Sequence, residues 1–281
     1  MGLRRWSFCG GDPGAEAPGH LPLAAMLFGL EDFWQVAAVF AAAVLAGAGN
    51  AVAGGGTNLS FPILVWAGLP PVEANATNSV GLSSGSLAAA WSYRERIGQA
   101  EASWWWLLTP ALVGGGLGAW LLLALPPDWF AAVAPFLVIG AATLVAADPV
   151  IRRHLDVGLG QGLGRSVFFT FLVAVYGGYF GAGIGILTLV VLSFMGMHDL
   201  HQANAFKNLL AVAMKGVAVL LFILLGRVIW GAAILLILGS VAGGWSAGHL
   251  VQKVDPGVLR WLVVAMGLAM GLVMVVSEYV L

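Results

Sequence analysis

The sequence predicts an all-α fold, a polytopic transmembrane helix bundle of about eight spans as two internal repeats with broken or re-entrant Gly-rich helices. Composition is the first reason, because 60% of the 281 residues are hydrophobic and only 9% are charged. A soluble domain carries charge on about a quarter of its residues, so this chain does not have the surface of a soluble protein. The second reason is a series of apolar segments, many of them near the length of about 20 residues that crosses a bilayer.

Charge and cysteine usage exclude several function classes. The 12 basic and 13 acidic residues leave a formal net charge of −1, which argues against a nucleic-acid partner. Cys9 is the only cysteine, so neither an intramolecular disulfide nor a thiolate metal site can form within one chain. No Walker motif or dinucleotide fingerprint occurs. We therefore expect no cofactor and no enzyme activity; the expected partners are a small anionic substrate and the lipid bilayer, and a homo-oligomer is left open.

The chain divides into a tail, two apolar halves and a polar linker. Residues 1–30 are expected to be a flexible cytoplasmic tail, 31–148 and 166–281 the two transmembrane repeats, and 149–165 the linker between them. The predicted segments are Phe33–Ala53, the short Leu59–Ala67, Val72–Tyr93, Ser103–Leu125 and Trp129–Ala147, then Ser166–Phe180, the short Ile184–Met195, Leu200–Leu225, Trp230–Val251 and Gly257–Val280.

The internal repeat is indicated by two matching blocks at nearly constant spacing. The block Ala74–Ala76 matches Ala203–Ala205 at an offset of 129 residues. Further along the chain, Val113–Ala119 matches Val241–Ala247 at an offset of 128 residues. Internal duplication is typical of secondary transporters, whose substrate sites lie where the repeats meet.

Basic residues predict the orientation of the bundle. Arginines in three connecting segments favour the cytoplasmic side of the membrane. The three segments lie on the same side only if each short limb and the helix before it together make a single crossing. This arrangement gives eight crossings, with parallel halves and both termini inside. These residues are Arg94 and Arg96, then Arg152, Arg153 and Arg165, and finally Arg227.

Two Gly-rich stretches interrupt the apolar sequence, one in each half. They are Gly54–Asn58 and Gly181–Gly185, and each precedes a short apolar limb and then a pair of asparagines. Irregular backbone at membrane depth occurs only where protein buries it or where it lines a cavity. A helix that starts after such a break presents N–H groups and a partial positive charge, which suits an anion. The alternative for any single glycine is close packing of helices through small residues.

Polar and basic side chains follow each Gly-rich stretch at helical spacing. Asn75 and Asn78 lie on one side of a helix, and Asn204 and Asn208 do so in the second half. Lys215 lies near the middle of its predicted span, where a charge costs roughly 2.5–3.5 kcal/mol and usually faces a cavity or a partner. An anionic substrate is the natural counter-ion. Hydrogen bonds between helices and snorkelling of the lysines are the structural alternatives.

The predicted substrate-binding residues are Gly54, Gly55, Gly56, Thr57, Asn58, Asn75, Asn78, Gly181, Gly183, Gly185, Asn204, Lys207, Asn208 and Lys215.

Three other functions can be formulated from the sequence. Gly81–Gly85 matches the G-x-S-x-G pattern, so Ser83 with His249 suggests an intramembrane serine hydrolase, although the pattern lies within a helix instead of at a strand-to-helix turn. The group His198, Asp199 and His201 could hold a metal weakly, but a solvated loop is the simpler interpretation. A scaffold without transport activity would leave two polar breaks in lipid without a purpose.

The order and spacing of these motifs resemble the sulfite exporter TauE/SafE family of membrane transporters. The residues that carry the resemblance are Ala48–Gly49, Gly54–Gly56, Phe61–Leu64 and Gly68–Asn78 in the first half, and Tyr176–Gly177, Gly181–Gly185 and Gln202–Asn208 in the second. The resemblance covers nearly everything from residue 33 onward. It implies seven or eight helices in two repeats that move sulfur-containing or organic anions, such as sulfite, sulfonates or sulfoacetate, across the inner membrane.

Overall fold

The computed structural model describes residues 30, 33–52, 55–92, 94–98, 101–154, 163–194, 197, 200–250 and 256–280. Within these ranges the chain is helical and contains no strand. The helices are α1 (Phe33–Val52), α2 (Thr57–Trp66), α3 (Pro71–Ser92), α4 (Arg94–Gly98), a 3₁₀ turn (Ala102–Leu107), α5 (Leu108–Ala124), α6 (Pro127–His154), α7 (Leu163–Tyr179), α8 (Ile184–Phe194), α9 (Leu200–Leu224), α10 (Trp230–Leu250) and α11 (Pro256–Tyr279).

Each apolar segment predicted from the sequence forms a helix close to its expected bounds. Within the part of the chain that the structure describes, five helical segments are long and apolar enough to cross a membrane: Phe33–Asn50, Ser103–Ala124, Pro127–Ile151, Gln202–Leu224 and Arg260–Tyr279. The polar linker is the main exception, because α6 continues to His154 and α7 already begins at Leu163. The residues assigned to the linker, 149–165, are therefore helical at both ends where the structure describes them. The predicted tail, residues 1–30, lies outside the described residues except for Leu30.

Helix α3 differs from the others because it is rich in polar side chains and packs between α9 and α10. The Ile229 N–H donates to the Thr77 hydroxyl (3.0 Å), and the Ser240 hydroxyl donates to the Gly81 carbonyl (3.2 Å). The later residue of α3 contacts the later residue of the α10 region, so α3 and α10 run in the same direction. Protein on both sides covers the polar groups that lipid could not satisfy.

Helices α3 and α9 run in opposite directions. Arg227, which follows the end of α9, forms an ion pair with Glu73 in the first turn of α3 (2.9 Å). At the other end, Ala205 near the start of α9 packs with Ala90 near the end of α3. Helix α3 has 22 residues and is therefore about 33 Å long. Arg94, just beyond its last turn, lies far from Arg227, so the prediction that the two arginine segments share one side of the bundle is wrong.

Glycines bring several helix pairs into backbone contact. A Cβ atom on Gly243 of α10 would overlap the Val44 carbonyl of α1, and one on Gly118 of α5 would overlap the Val175 carbonyl of α7. In both pairs the contacts show that the two helices run in the same direction. The close helix packing that the sequence suggested as an alternative role for glycine thus occurs, but at glycines within the long helices.

The glycine contacts predict a pair of opposite stability effects. Gly243→Ala should lower the free energy of unfolding by about 1–3 kcal/mol, because the added methyl overlaps a carbonyl of α1 and forces the helices apart. Gly140→Ala is the matched control, since a Cβ there meets no atom within 4 Å and alanine favours helix by about 1 kcal/mol. Thermal unfolding in detergent measures both. Equal melting temperatures for the two variants would contradict the α1–α10 contact.

The direction of α3 predicts the accessibility of its two ends. Single cysteines at positions 94 and 227, each in a Cys9→Ser background, should react with a membrane-impermeant maleimide from opposite sides of oriented vesicles. Labelling of both positions from one side would show that α3 does not cross the membrane.

Candidate functional site at the two helix breaks

Each half of the chain contains a helix that stops and restarts. Helix α1 ends at Val52 and α2 begins at Thr57, and α7 ends at Tyr179 and α8 begins at Ile184, so the two breaks are related by the same offset of 127 residues. The helices that follow have 10 and 11 residues, as the short predicted limbs required. Gly54 lies outside the described residues.

The second break is a left-handed turn that only glycine adopts easily. Gly181 and Gly183 have φ angles of +79° and +71°. The N–H groups of Phe180 and Gly181 donate to the Tyr176 carbonyl (2.9 and 3.1 Å), which closes the end of α7. The Tyr176 hydroxyl donates to the Ala182 carbonyl (2.8 Å). This break is therefore fixed by its own backbone and by one tyrosine.

At the first break a side chain accepts the backbone hydrogen bond, whereas at the second break a backbone carbonyl accepts it. Gly56 has helical angles (φ −58°, ψ −35°), and its N–H donates to the Asn50 side-chain oxygen (2.9 Å). A Cβ on Gly56 would collide with the Ala46 carbonyl, so the glycine is required by space instead of by its φ angle. The chain folds back tightly onto the last turns of α1.

The second break directly contacts two helices of the first half. Phe61 of α2 packs edge-to-face against Phe180 in the second break, with 5.2 Å between ring centroids. The Asn75 amide of α3 donates to the carbonyl of Tyr179, the last residue of α7 (2.8 Å). A residue from the first half thus caps the interrupted helix of the second.

Helix α6 lies against both breaks within a few residues. A Cβ on Gly55 would lie 2.9 Å from a methyl of Val145, and one on Gly183 would lie 3.1 Å from a methyl of Leu144. Since Leu144 and Val145 are consecutive, the starts of α2 and α8 meet on one turn of α6. The convergence that the repeated motif predicted is present in the structure.

Lys215 lies beside the second break. Its side chain is 6% exposed, and a Cβ on Gly181 would lie 2.9 Å from its Cε and 3.3 Å from its Nζ. Among the described residues the ammonium forms neither a hydrogen bond nor an ion pair. Glycine at position 181 therefore serves two purposes, because it permits the positive φ and leaves space for the lysine.

The first half supplies amides without charge. The Ser60 hydroxyl donates to the Asn78 side-chain oxygen (2.5 Å) and so joins α2 to α3. Asn75 uses its amide nitrogen on Tyr179, but its oxygen is buried without a partner in the described structure. Asn58 is fully buried, and neither its oxygen nor its nitrogen has a partner there. Thr57 beside it is 3% exposed.

The second asparagine pair does not join this group. Lys207 donates to Asn204 one turn earlier in α9 (3.0 Å), and both side chains are half-buried and have further interactions. Asn208 is also half-buried. Lys207 precedes Lys215 by eight residues, or about 12 Å along the helix. The structure therefore brings Lys215 to a break and leaves Lys207 with a partner in its own helix.

Several residues of the site were missed by the sequence prediction. Ser60, Phe61 and Phe180 connect the two halves, and Gly267 of α11 lies against Asn58. Ser60, Phe61 and Phe180 could have been predicted from the sequence, because they lie next to the Gly-rich stretches. Gly267 has no such signal, because only the packing of α11 on α2 brings it near.

The hydrolase pattern has no supporting geometry. Ser83 lies inside α3, and its hydroxyl donates to the Ser79 carbonyl one turn earlier (2.5 Å). A nucleophile elbow instead presents its serine at a sharp strand-to-helix turn. The side chain of His249, the proposed base, lies outside the described residues. His198 and Asp199 and the side chain of His201, the candidate metal ligands, lie outside them as well.

Two cavities among the described residues have almost entirely apolar linings, and one of them adjoins the second break. One of about 260 Å³ lies between α6, α7 and α8 and is lined by Ala141, Leu144 and Tyr176, among others. Another, of about 510 Å³, lies between α5 and α7 and includes Trp106 and Phe168. Neither lining includes Asn58, Asn75 or Lys215.

Comparison with known proteins identifies the family. The family model described as sulfite exporter TauE/SafE matches residues 39–274. The chain belongs to this family of membrane transporters. No solved structure matches.

Bacterial relatives match along most of their length. A "Probable membrane transporter protein" of Haemophilus influenzae is 26% identical over 234 residues, 82% of this chain and 90% of the relative. The "Probable membrane transporter protein ORF9" of Sinorhizobium sp. is 28% identical over 245 residues, with coverage of 85% and 92%. The "Probable membrane transporter protein YfcA" of Escherichia coli K12 is 27% identical over 232 residues, with coverage of 83% and 86%.

Proposed function

We propose that this member of the TauE/SafE family is a secondary transporter of small anions, sulfur-containing or organic, and that the anion binds where the two helix breaks meet. The observation that carries the proposal is the buried ammonium of Lys215, which lies at the second break without a counter-charge in the described structure. Membership of the sulfite exporter family supports sulfite- or sulfonate-type substrates.

Electrostatics favours an anion at this position. A lysine within a span costs free energy unless a partner or a water-filled cavity receives it. The Glu73 carboxylate is already paired with Arg227. This ion pair lies at one end of α3, and the other end of the helix is about 30 Å away. A bound anion would pair with Lys215 in surroundings of low dielectric constant, where the attraction is much stronger than in water.

The two short helices add positive potential at the same place. The N-terminus of a helix attracts negative charge through the helix dipole. At α2 this is an effect of the dipole, because the N–H groups of Gly56, Asn58 and Leu59 already have acceptors. The starts of α2 and α8 both lie against Leu144 and Val145 of α6. Transporters with broken helices direct such N-termini at anionic substrate groups near the middle of the bilayer.

The packing supports two repeats of opposite orientation. If each helix is replaced by its equivalent in the other half, the α1–α10 contact becomes α7–α5 and the α3–α10 contact becomes α9–α5. All four of these helix pairs are in contact. The equivalent helices α3 and α9 run in opposite directions, and so do α6 and α11, where Gly267 packs on Ala142 and Gly271 on Ile139. We therefore propose inverted repeats of five helices each, in which the short helices α2 and α8 do not cross the membrane fully, in place of the eight crossings and parallel halves expected from the sequence.

This topology gives an orientation in the inner membrane. Arg94, Arg165 and Arg260 all lie at one end of the bundle, and Arg227 lies at the other. Positive residues favour the cytoplasmic side, so we assign the Arg94 end to the cytoplasm. The start of α1 and the end of α11 then lie on the outer side, opposite to the cytoplasmic tail expected from the sequence.

Substitution of the lysine tests the proposed function. Lys215→Ala should lower the apparent affinity for a transported anion about 10- to 100-fold, because the loss of a charged hydrogen-bonding partner costs roughly 1.5–3 kcal/mol. The measurement is flux into proteoliposomes with sulfite, sulfate, thiosulfate, sulfoacetate and taurine, with and without a pH gradient. Gly140→Ala, at a position with open space, controls for insertion and folding. Normal flux in the Lys215→Ala protein would remove the lysine from the mechanism.

A further inference from the structure

A groove between α5 and α7 opens on the outside of the bundle. It has a volume of about 510 Å³ and an almost entirely apolar lining. Trp106 and Phe168, at its edge, are 65% and 56% exposed, so the groove faces the surroundings of the bundle instead of its interior. The lining residues are Trp106, Thr109, Pro110 and Val113 on one side, and Gly164, Val167, Phe168 and Phe171 on the other.

Glycine packing explains the position of the groove. Deeper in the bundle, a Cβ on Gly114 of α5 would lie 2.7 Å from the Phe171 carbonyl oxygen of α7, and one on Gly118 would overlap the Val175 carbonyl. Residues 108–113 of α5 contain no glycine, so side chains hold the two backbones farther apart there. The groove therefore lies on the side of the glycine contact at which both helices begin.

The groove runs along the helices. Trp106 and Val113 are seven residues apart, which corresponds to about 10 Å along a helix axis. On α7, Gly164 and Phe171 have the same separation. Because α5 and α7 run in the same direction, Trp106 and Gly164 lie at one end of the groove, and Val113 and Phe171 lie at the other.

Trp106 marks the end of the groove that lies at the membrane surface. Its neighbour Trp105 packs edge-to-face on Phe206, near the start of α9, with 5.9 Å between ring centroids. The start of α9 packs in turn on the end of α3, which Arg94 follows. Tryptophan is enriched at the membrane–water interface. The groove thus runs from the level of the lipid headgroups into the hydrocarbon region, which is the course of an acyl chain.

Arg165 supplies a positive charge at the same end. It directly follows Gly164 of the lining, is exposed, and forms no ion pair with another described residue. The exposed Glu101 carboxylate, which precedes the 3₁₀ turn, accepts a hydrogen bond from the Ser103 hydroxyl (3.5 Å). Basic pockets between transmembrane helices bind the headgroups of anionic lipids.

We infer that the groove between α5 and α7 binds an anionic phospholipid, with an acyl chain along the apolar lining and the phosphate at the Arg165 guanidinium. The apolar lining accounts for the chain, and the unpaired arginine favours a headgroup with a net negative charge over a zwitterionic one. The lipid site does not depend on the proposed anion site at the helix breaks.

Lipid binding by the purified protein tests this site. Native mass spectrometry gives an apparent dissociation constant for phosphatidylglycerol and for phosphatidylcholine with identical acyl chains. The proteins compared are the wild type, Arg165→Gln and Val113→Phe, with Arg94→Gln and Leu112→Phe as matched controls. Arg94 is exposed at the same end of the bundle, and Leu112 is 45% exposed on α5 but does not line the groove.

Each protein has a distinct expected result. The wild type should bind phosphatidylglycerol about fivefold more tightly than phosphatidylcholine, the effect of one basic residue near an anionic headgroup. Arg165→Gln should remove this preference and leave phosphatidylcholine binding unchanged, because the apolar groove remains. Val113→Phe should weaken binding of both lipids, because the larger side chain occupies the groove. Both control variants should behave as the wild type does.

Other results would overturn the inference. Equal affinity of the wild type for the two lipids, or an undiminished preference in the Arg165→Gln protein, would show that the arginine does not hold the headgroup. Unchanged phosphatidylglycerol binding by Val113→Phe would place the lipid elsewhere on the bundle. A dimer in the wild-type spectra that Val113→Phe converts to a monomer would show that a second copy of the chain fills the groove instead.

Discussion

A helix can stop inside a bilayer only if protein satisfies the polar groups at its ends, and this constraint governs the whole bundle. Lipid offers no hydrogen bonds, so each break must be covered by other parts of the chain. The second break is covered by its own left-handed turn, by the Tyr176 hydroxyl and by the Asn75 amide from the other half. A residue of the first half thus completes the cover of the second break, whereas the first break is closed by Asn50 of its own half.

Close packing of the surrounding helices makes this mutual cover possible. Glycines such as Gly118 and Gly243 place backbone against backbone, which holds α1 to α10 and α7 to α5. Each pair joins a helix of the first half to a helix of the second, so the two halves of the chain are interleaved. A movement of α1 or α7 must therefore shift helices of both halves.

The sequence predicted the helices and the two breaks better than it predicted the directions of the helices. Apolar length and two Gly-rich interruptions were sufficient for α1, α2, α7 and α8, because burial of apolar surface and glycine geometry are local properties. Orientation failed because Arg227 was assigned by charge alone, and its pairing with Glu73 depends on how α9 packs on α3. The contact of Gly267 with Asn58 likewise joins residues more than 200 positions apart, and no local pattern encodes it.

The central claim is that both breaks contribute to one anion site. The most direct measurement is a structure of the protein with a heavier anion, selenate or bromide, located by anomalous scattering. The account predicts a peak within hydrogen-bonding reach of the Lys215 ammonium and beside Gly181 and Gly183, and its loss in the Lys215→Ala protein. Peaks confined to the bundle surface, with density at the breaks unchanged by the anion, would contradict it.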